Sequence, residues 1–234
     1  MSLFLALSKD RVYYIAKAFA TVAKLFGLRV YKHVSYKAYD VPQAVYIANH
    51  QNNYDLFTFS HVVPHSTVTV GKSTLKWIPF FGQMYWLTGN ILIDRKNKNK
   101  AMNTIDMTAR KIREKKLSVW LFPEGTRSYG RGLLPFKTGA FRTAVKAEVP
   151  IVPICASNTH KTIDLNRWNN GKMIIELLDP ITIAADERDK IRSITNQTRN
   201  EMLVKLAALN KETGHEIVLS KDKTTDKEQP SEIK

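Results

Sequence analysis

Short apolar runs alternate with segments of helical periodicity along most of the chain. The runs are apolar throughout, which is typical of strands covered on both faces of a sheet. They lie at 44–48, 67–70, 91–93, 117–122, 151–155 and 173–178. Apolar residues three or four apart predict helices at 10–27, 53–62, 73–87, 98–115, 138–147 and 187–210. This order predicts an α/β domain with a mixed, mostly parallel sheet flanked by helices.

The same pattern divides the chain into three parts. Residues 1–30 are predicted to form a helical segment and residues 31–212 the α/β domain. Residues 213–234 have no apolar periodicity and are expected to be a flexible, solvated tail. A chain of 234 residues is at the upper end of the size of one domain, and it needs no disulfide or metal to stabilise its core.

The first predicted helix is amphipathic. Its apolar face consists of Val12, Ile15, Phe19, Val22 and Phe26. A basic helix with aromatic residues on its apolar face lies in the membrane interface in some proteins and packs on a core in others. The pattern alone does not choose between these two interpretations. The longest uncharged run, 77–93, contains Pro79 and Gly82 and is better explained as a helix and a strand than as a membrane span.

The composition is strongly basic, with 36 Lys and Arg against 21 Asp and Glu, for a formal net charge of +15. Such a charge indicates an anionic partner, which is a nucleic acid, an anionic membrane or a phosphorylated substrate. The basic stretch at 95–116 has no aromatic residue to stack on bases, which disfavours the nucleic acid. The single cysteine, Cys155, excludes an internal disulfide and a multi-cysteine zinc site.

A histidine and an aspartate five residues apart directly follow the strand at 44–48. His50 and Asp55 would be separated by about 140° on one straight helix and would not meet. They meet if His50 ends the strand and Asp55 lies in the first turn of the next helix, with Asn52 or Asn53 as its N-cap. Asp55 then accepts a proton from one imidazole nitrogen and leaves the other as a general base. The alternative is a surface histidine beside a capping aspartate.

A glycine-rich, basic loop follows the strand at 117–122. It begins with Phe122-Pro123-Glu124-Gly125-Thr126-Arg127-Ser128 and continues to Gly139. Glycines let backbone amides approach a ligand, and Arg127, Arg131 and Lys137 suit a phosphate. The spacing is neither a Walker A nor a dinucleotide-binding motif. A plain basic surface loop is the alternative.

Two further stretches end strands. The strand at 91–93 runs into Asp94 and Arg95, either as part of a site or as a surface ion pair. Val149-Pro150-Ile151-Val152-Pro153 carries two prolines, which indicate an edge strand or a strand lining a ligand, although simple packing is the more common explanation.

These four stretches, in this order, resemble the motifs of the glycerolipid acyltransferase family. The motifs are Asn-His-x4-Asp at 49–55, Gly-x-Ile-x-Ile-Asp-Arg at 89–95, Phe-Pro-Glu-Gly-Thr-Arg-Ser at 122–128 and Val-Pro-Ile-x-Pro at 149–153. Lys72 and Trp77-Ile78-Pro79-Phe80-Phe81-Gly82 are also similar to the family. The resemblance covers about residues 40–180. Each motif is weak alone, but four in order are specific.

The resemblance implies a reaction and the roles of several residues. It implies transfer of a fatty acyl group from acyl-CoA or acyl carrier protein to lysophosphatidic acid, giving phosphatidic acid, with no bound cofactor or metal. His50 and Asp55 would be catalytic, and the proline-containing strand would line the acyl chain. The acceptor would be bound by Lys72, Arg95, Glu124, Gly125, Thr126, Arg127 and Lys137. Residues 1–30 would associate with an anionic membrane, at the cytoplasmic face of a bacterial inner membrane.

Several alternatives stay open from the sequence. The same four motifs fit an acyltransferase that uses glycerol 3-phosphate or another lysophospholipid as acceptor. A thioester hydrolase would use the same base on water, and a nucleic-acid-binding protein is a more distant possibility. Cys155 as a covalent acyl carrier is disfavoured, because it lies in an apolar strand.

Overall fold

The computed structural model describes residues 9–25, 27–93, 98–164 and 166–215. Among them, seven strands form one sheet: β1 (Arg29–Val34), β2 (Val45–Ala48), β3 (Thr67–Lys72), β4 (Ile91–Ile93), β5 (Ser118–Leu121), β6 (Ile151–Ala156) and β7 (Lys172–Leu177). The α-helices are α1 (Arg11–Leu25), α2 (Tyr36–Tyr39), α3 (Asp55–Thr58), α4 (Phe81–Leu87), α5 (Lys98–Lys115), α6 (Gly139–Ala147) and α7 (Ile191–Thr213). Short 3-10 helices cover Phe59–His61, Ser73–Trp77 and Ala185–Lys190.

The sheet has the order β1-β7-β6-β2-β5-β3-β4. Strands β6, β2, β5, β3 and β4 are all parallel, whereas β7 is antiparallel to β6 and β1 is parallel to β7. This is the mixed, mostly parallel sheet that the sequence predicts. The five parallel strands end at the same edge, so the loops that follow β2, β5 and β3 meet there.

Helices cover both faces of this sheet. Val45, Ile47, Val119 and Ile151 pack on one side with apolar residues that include Phe141 of α6 and Met202 of α7. The opposite side of the same strands places Tyr46, Trp120 and Val152 in a second apolar cluster. Burial on both faces explains why these strands appear in the sequence as continuous apolar runs.

Strand β1 has no counterpart among the predicted elements. It lies at the edge of the sheet and pairs only with β7, and all but one of its residues are exposed. Its sequence, Arg-Val-Tyr-Lys-His-Val, mixes basic residues with valines and a tyrosine, so no continuous apolar run marks it. The predicted helix at 53–62 is instead α3 followed by a 3-10 turn, and the one at 73–87 is a 3-10 turn followed by α4.

Strand β6 carries Pro153 but is a central strand, with β2 on one side and β7 on the other. All six of its residues are buried. The proline-containing run is therefore neither an edge strand nor exposed to a ligand over 151–153, and simple packing is the correct explanation.

Helix α1 rests on the domain. Val12, Ala16, Ala20 and Ala23 are buried, and the Phe19 ring meets the Phe57 ring edge to face at 5.6 Å. Of the predicted apolar face, Val12 is buried, the other described residues are half-buried, and Phe26 lies outside the described residues. Over the described part of the helix, this face is therefore partly packed on the domain. Within the described part of the chain, no helix combines the length and the hydrophobicity needed to cross a bilayer.

Candidate active site

His50 leaves the carboxyl end of β2 and is paired with Asp55 of α3. The His50 Nδ1 atom lies 2.6 Å from Asp55 Oδ2. Only 15% of the His50 side chain and 2% of the Asp55 side chain are exposed. A carboxylate accepts, so Nδ1 carries the proton and Nε2 is the nitrogen with a free lone pair. The structure therefore places this pair in the arrangement that the spacing predicts for a strand end followed by a first helical turn.

The loop between the two residues is folded around the Asp55 carboxylate. Asp55 Oδ2 also accepts the backbone N–H groups of Gln51 at 2.6 Å and Asn52 at 3.2 Å. Asn52 Oδ1 accepts the N–H of Tyr54 at 2.9 Å. The N-cap residue of α3 is Tyr54, which makes no side-chain capping hydrogen bond, so the predicted N-cap at Asn52 or Asn53 is wrong. The hydrogen bonds to Asp55 Oδ2 fix the position of the carboxylate relative to the imidazole.

Phe122 sets the plane of the histidine. Its ring stacks on the His50 ring with 4.0 Å between centroids and 13° between planes. Phe122 is the first residue after β5, the neighbour of β2 in the sheet. The imidazole is thus held at one nitrogen by Asp55 and at one face by Phe122, which limits its rotation.

Glu124 lies beneath the His50 loop and not in an open binding position. Its side chain is buried, Oε1 accepts the backbone N–H of His50 at 2.6 Å, and Oε2 accepts that of Leu134 at 2.9 Å. Burial raises the pKa of Glu124 to about 7, although these two hydrogen bonds act in the opposite direction. Each oxygen holds one backbone N–H, so Glu124 positions the two loops, and its role in acceptor binding stays a prediction.

The glycine-rich loop is joined to the histidine loop by backbone hydrogen bonds. Ser128 N–H donates to the His50 carbonyl at 2.8 Å, and Tyr129 N–H donates to the Gln51 carbonyl at 2.9 Å. Gly125 has φ of +74°, a backbone conformation that favours glycine, and its N–H closes a turn onto Phe122 O at 3.0 Å. The two motifs therefore form one rigid unit at the sheet edge.

Two of the predicted cations flank this unit. The Lys137 side chain crosses Gly125, since a Cβ on Gly125 would lie 3.0 Å from Lys137 Nζ. Arg127 precedes the residue bonded to the His50 carbonyl, and its buried Nε has no hydrogen-bond partner among the described residues. Thr126 is exposed between them.

Lys72 is exposed at the end of β3, two strands from β2 along the same edge and so roughly 10 Å away in the direction across the strands. Arg95 lies outside the described residues, as does Asp94. The structure thus brings together His50, Asp55, Glu124 and the 125–127 turn, and it places Lys72 further along the edge.

Sequence reasoning missed two buried amides that anchor the histidine loop. Asn49 exchanges hydrogen bonds with the Ala156 backbone, donating at 3.0 Å and accepting at 2.8 Å. Gln51 donates to the carbonyls of Ala156 and Ser157 and accepts the N–H of Thr159 at 2.7 Å. The available signal was a run of amide residues directly after a buried strand, since such side chains are buried only when hydrogen-bonded.

An apolar cleft opens beside Phe122. Its volume is about 770 Å³, including space open to solvent. Its lining includes Pro123, Gly125, Gly139, Ile105 and Lys137. The cleft therefore runs from Phe122, which stacks on His50, into the apolar space between the glycine-rich loop and helices α5 and α6.

Other reactive groups lie apart from this site. Cys155 is fully buried in β6, and burial raises the pKa of its thiol far above the ordinary value. A thiol in that state is a poor nucleophile, so a covalent acyl-cysteine route is disfavoured. Among the described residues, no three His, Cys, Asp or Glu side chains converge as a metal site.

Comparisons with known proteins point to one family. Residues 29–157 match the family model described as Acyltransferase. The chain is 52% identical over 194 residues to the 1-acyl-sn-glycerol-3-phosphate acyltransferase of Escherichia coli strain K12, covering 83% of this chain and 79% of that one. It is 50% identical over 198 residues to the enzyme of the same name from Haemophilus influenzae, covering 85% and 82%.

The fold also matches a solved structure. The crystal structure of the 1-acyl-sn-glycerophosphate acyltransferase from Thermotoga maritima superposes with a TM-score of 0.59 at 22% identity. The match covers 83% of this chain and 80% of the other.

Proposed function

Because this chain belongs to the acyltransferase family, we propose that it transfers a fatty acyl group to the 2-hydroxyl of 1-acyl-sn-glycerol-3-phosphate. The reaction is an O-acyl transfer of phospholipid biosynthesis, and its product is phosphatidic acid. The observation that carries this proposal is the hydrogen bond between His50 and Asp55 at 2.6 Å, beside a basic, glycine-rich loop at the sheet edge.

His50 acts as the general base. Its Nε2 removes the proton of the acceptor hydroxyl as that oxygen attacks the thioester carbonyl of the donor. When the tetrahedral intermediate collapses, the carbon–sulfur bond breaks and the imidazolium returns the proton to the leaving thiolate. The products are phosphatidic acid and the free thiol of coenzyme A or acyl carrier protein. A positioned base of this kind contributes about 10²–10⁴ in rate.

Asp55 keeps the base in its working form. Its carboxylate holds the proton on Nδ1 and stabilises the positive charge that the ring gains in the transition state. The N–H groups of Gln51 and Asn52 hold that carboxylate in place, so little reorganisation accompanies proton transfer.

The acceptor phosphate is bound by the cations of the edge. The Lys137 ammonium group lies against Gly125, and Arg127 follows two residues later with a buried Nε that has no hydrogen-bond partner among the described residues. An ammonium group and a guanidinium fork both suit a phosphate. Lys72 extends the positive charge along the edge. Holding the phosphate orients the 2-hydroxyl toward His50, which lowers the entropic part of the barrier. Arg95 stays a prediction for this role.

The acyl chain of the donor occupies the apolar cleft beside Phe122. The lining is mainly apolar, and the cleft begins at the residue that stacks on the base. Burying a methylene there is worth about 0.8 kcal/mol, so cleft length selects chain length. The donor is acyl-CoA or acyl carrier protein, and no bound cofactor takes part in the steps above.

Both the acceptor and the product are membrane lipids, so the enzyme works at a membrane surface. We place it at the cytoplasmic face of the bacterial inner membrane, where the net charge of +15 favours anionic lipid. We propose no nucleic acid as a partner of the protein at this location.

An acceptor panel tests the proposed function. Purified protein is incubated with a labelled acyl thioester and lysophosphatidic acid, glycerol 3-phosphate, lysophosphatidylcholine or no acceptor. We expect labelled phosphatidic acid and free thiol only with lysophosphatidic acid. Thiol release without an acceptor would instead identify a hydrolase, and preference for another acceptor would replace the substrate named here.

A further inference from the structure

A patch of large apolar side chains between β3 and β4 is exposed to solvent. We call the following residues the aromatic surface: Trp77, Ile78, Phe80, Trp86 and Leu87. Trp77 is 76% exposed, Phe80 89% and Trp86 68%. Scattered exposed apolar residues are ordinary, but a cluster of this kind marks a binding surface.

The aromatic surface is one structural unit. The 3-10 turn Ser73–Trp77 and helix α4 pack closely, since a Cβ on Gly82 would lie 2.3 Å from the Lys76 carbonyl oxygen. Gly82 N–H also donates to the Ile78 carbonyl at 2.7 Å. Trp86 and Leu87 follow one turn further along the exposed side of α4.

The backbone of Phe80, one of these exposed residues, has an unfavourable conformation. Phe80 has φ of +60°, a conformation that is unusual for a residue with a side chain. Such a conformation persists when the surrounding structure determines it, and it occurs most often at functional sites. Here Phe80 N-caps α4 and its ring is almost fully exposed, so its packing within the protein does not account for it.

The charge around the aromatic surface is positive. Lys76 Nζ lies 4.7 Å from the centre of the Trp77 ring, and Lys72 is exposed nearby in sequence. Arg11 of α1 donates to the Leu87 carbonyl at 2.7 Å. No Asp or Glu occurs between Leu56 and Ile93. Asp10, which precedes Arg11, accepts the N–H of Ser66 at 2.6 Å and pairs with His65. Exposed tryptophans beside basic residues are complementary to an anionic lipid interface.

We propose that the aromatic surface inserts into an anionic lipid bilayer. Over the described part of α1 the predicted apolar face is buried or half-buried, so it is less exposed than the aromatic surface. The chain passes from Lys72, at the proposed acceptor edge, directly into the 3-10 turn of the aromatic surface. A bilayer bound there lies beside the end of β3, where lipid acceptors enter. This inference rests on the proposed function for the identity of those lipids.

Vesicle flotation tests the surface without measuring catalysis. Trp77→Ser, Phe80→Ser and the double variant Trp77→Ser/Trp86→Ser are compared with the parent protein on phosphatidylglycerol/phosphatidylcholine vesicles and on pure phosphatidylcholine vesicles. We expect each single change to lower partitioning onto the anionic vesicles about tenfold and the double change further. Trp168→Ser is the matched control, because Trp168 is 90% exposed in the loop between β6 and β7, toward the other end of the sheet.

Three results would overturn the inference. The first is undiminished vesicle binding of the double variant, and the second is an equal loss of vesicle binding in Trp168→Ser. The third is self-association of the parent protein in solution that the double variant loses while its vesicle binding stays intact. Thermal unfolding measured in parallel distinguishes a folded variant that no longer binds vesicles from a variant that has not folded.

An activity assay separates this inference from the proposed function. With a short-chain, monomeric lysophosphatidic acid in solution, the aromatic-surface variants are expected to keep parental turnover, and they lose turnover only when the acceptor is presented in vesicles. Normal vesicle binding by a parent protein that acylates no soluble acceptor would refute the proposed function while leaving the surface intact. An equal loss of turnover with the soluble acceptor and with the acceptor in vesicles would contradict the proposed role of the aromatic surface.

Discussion

The buried carboxylate of Glu124 accepts the backbone N–H of His50 at 2.6 Å. A residue of the loop after β5 therefore fixes the backbone of the proposed base after β2. The other oxygen of Glu124 holds Leu134, further along the glycine-rich loop. One carboxylate thus links the two motifs that approach the substrates.

Glu124 is expected to make stability depend on pH. Its pKa is raised from 4.5 to about 7 by burial, so the folded state favours the protonated form. The stabilisation is complete below the unfolded pKa and is lost as pH rises through 7. A shift of this size corresponds to about 3 kcal/mol. In Glu124→Gln, which cannot ionise, the free energy of unfolding measured in urea between pH 4.5 and 8 will lack this decline.

Glu212→Gln serves as the control for that comparison, since Glu212 is exposed on α7. It should retain the parental pH profile. If the free energy of unfolding of the parent protein and of Glu124→Gln changes with pH in the same way, Glu124 is not the group responsible for the decline.

Asp55→Asn tests the orienting role of the carboxylate. In the parent protein one charged oxygen of Asp55 accepts three N–H groups, and the variant replaces the carboxylate with a neutral amide. The imidazole tautomer with its proton on Nε2, which cannot act as the base, is then favoured. We expect kcat to fall by about 10²–10⁴ with a small effect on the donor KM. In the double variant His50→Ala/Asp55→Asn the second change should add little to the first, because Asp55 acts through His50. Multiplication of the two single effects would contradict this coupling.

Arg127→Ala and Lys137→Ala test the phosphate site. Loss of a charge-assisted contact to the acceptor should raise the acceptor KM or lower kcat/KM by about tenfold or more, since such contacts contribute about 1.5–3 kcal/mol. Arg142→Ala is the matched control, because Arg142 is an exposed arginine of α6. The KM of the acyl donor is measured alongside. An unchanged acceptor kcat/KM in Arg127→Ala would remove Arg127 from the site.

Gly139→Leu tests the acyl cleft. Gly139 lines the cleft at the start of α6, and the nearest atom to a Cβ there is Ile105 Cδ1 at 3.9 Å, so a Cβ is accommodated without a clash. The new side chain fills part of the channel. We expect kcat/KM for a palmitoyl donor to fall about tenfold while a decanoyl donor is retained. Equal effects on both donors would mean that the chain lies elsewhere.

The sequence predicted those parts of the fold whose burial is recorded in the residue pattern. Strands β2, β5 and β6 are apolar on both faces because helices cover both, and the periodicity of α5 and α7 was recognisable for the same reason. Strand β1 escaped prediction, since an edge strand with exposed basic residues has no apolar signature. The two prolines around β6 indicate an edge in isolation, and only the sheet order shows that the strand is central.

The site shows the same division. The contact between His50 and Asp55 followed from the spacing and from a turn between strand and helix. The position of Glu124 did not, because its partners are backbone groups far away in sequence. The family resemblance implied an acceptor role for Glu124, and the structure adds that each of its oxygens holds a backbone N–H. Long-range hydrogen bonds to the backbone leave no trace in a residue pattern.

The central claim is that His50 is the base of an acyl transfer to lysophosphatidic acid. It is tested most directly by His50→Ala, assayed for labelled phosphatidic acid from an acyl thioester and a soluble lysophosphatidic acid. The variant should unfold at the parental temperature within a few degrees and bind vesicles normally. Its turnover should fall by at least about a hundredfold. Retention of more than about a tenth of the parental turnover would contradict the claim, given the contribution expected of a positioned base.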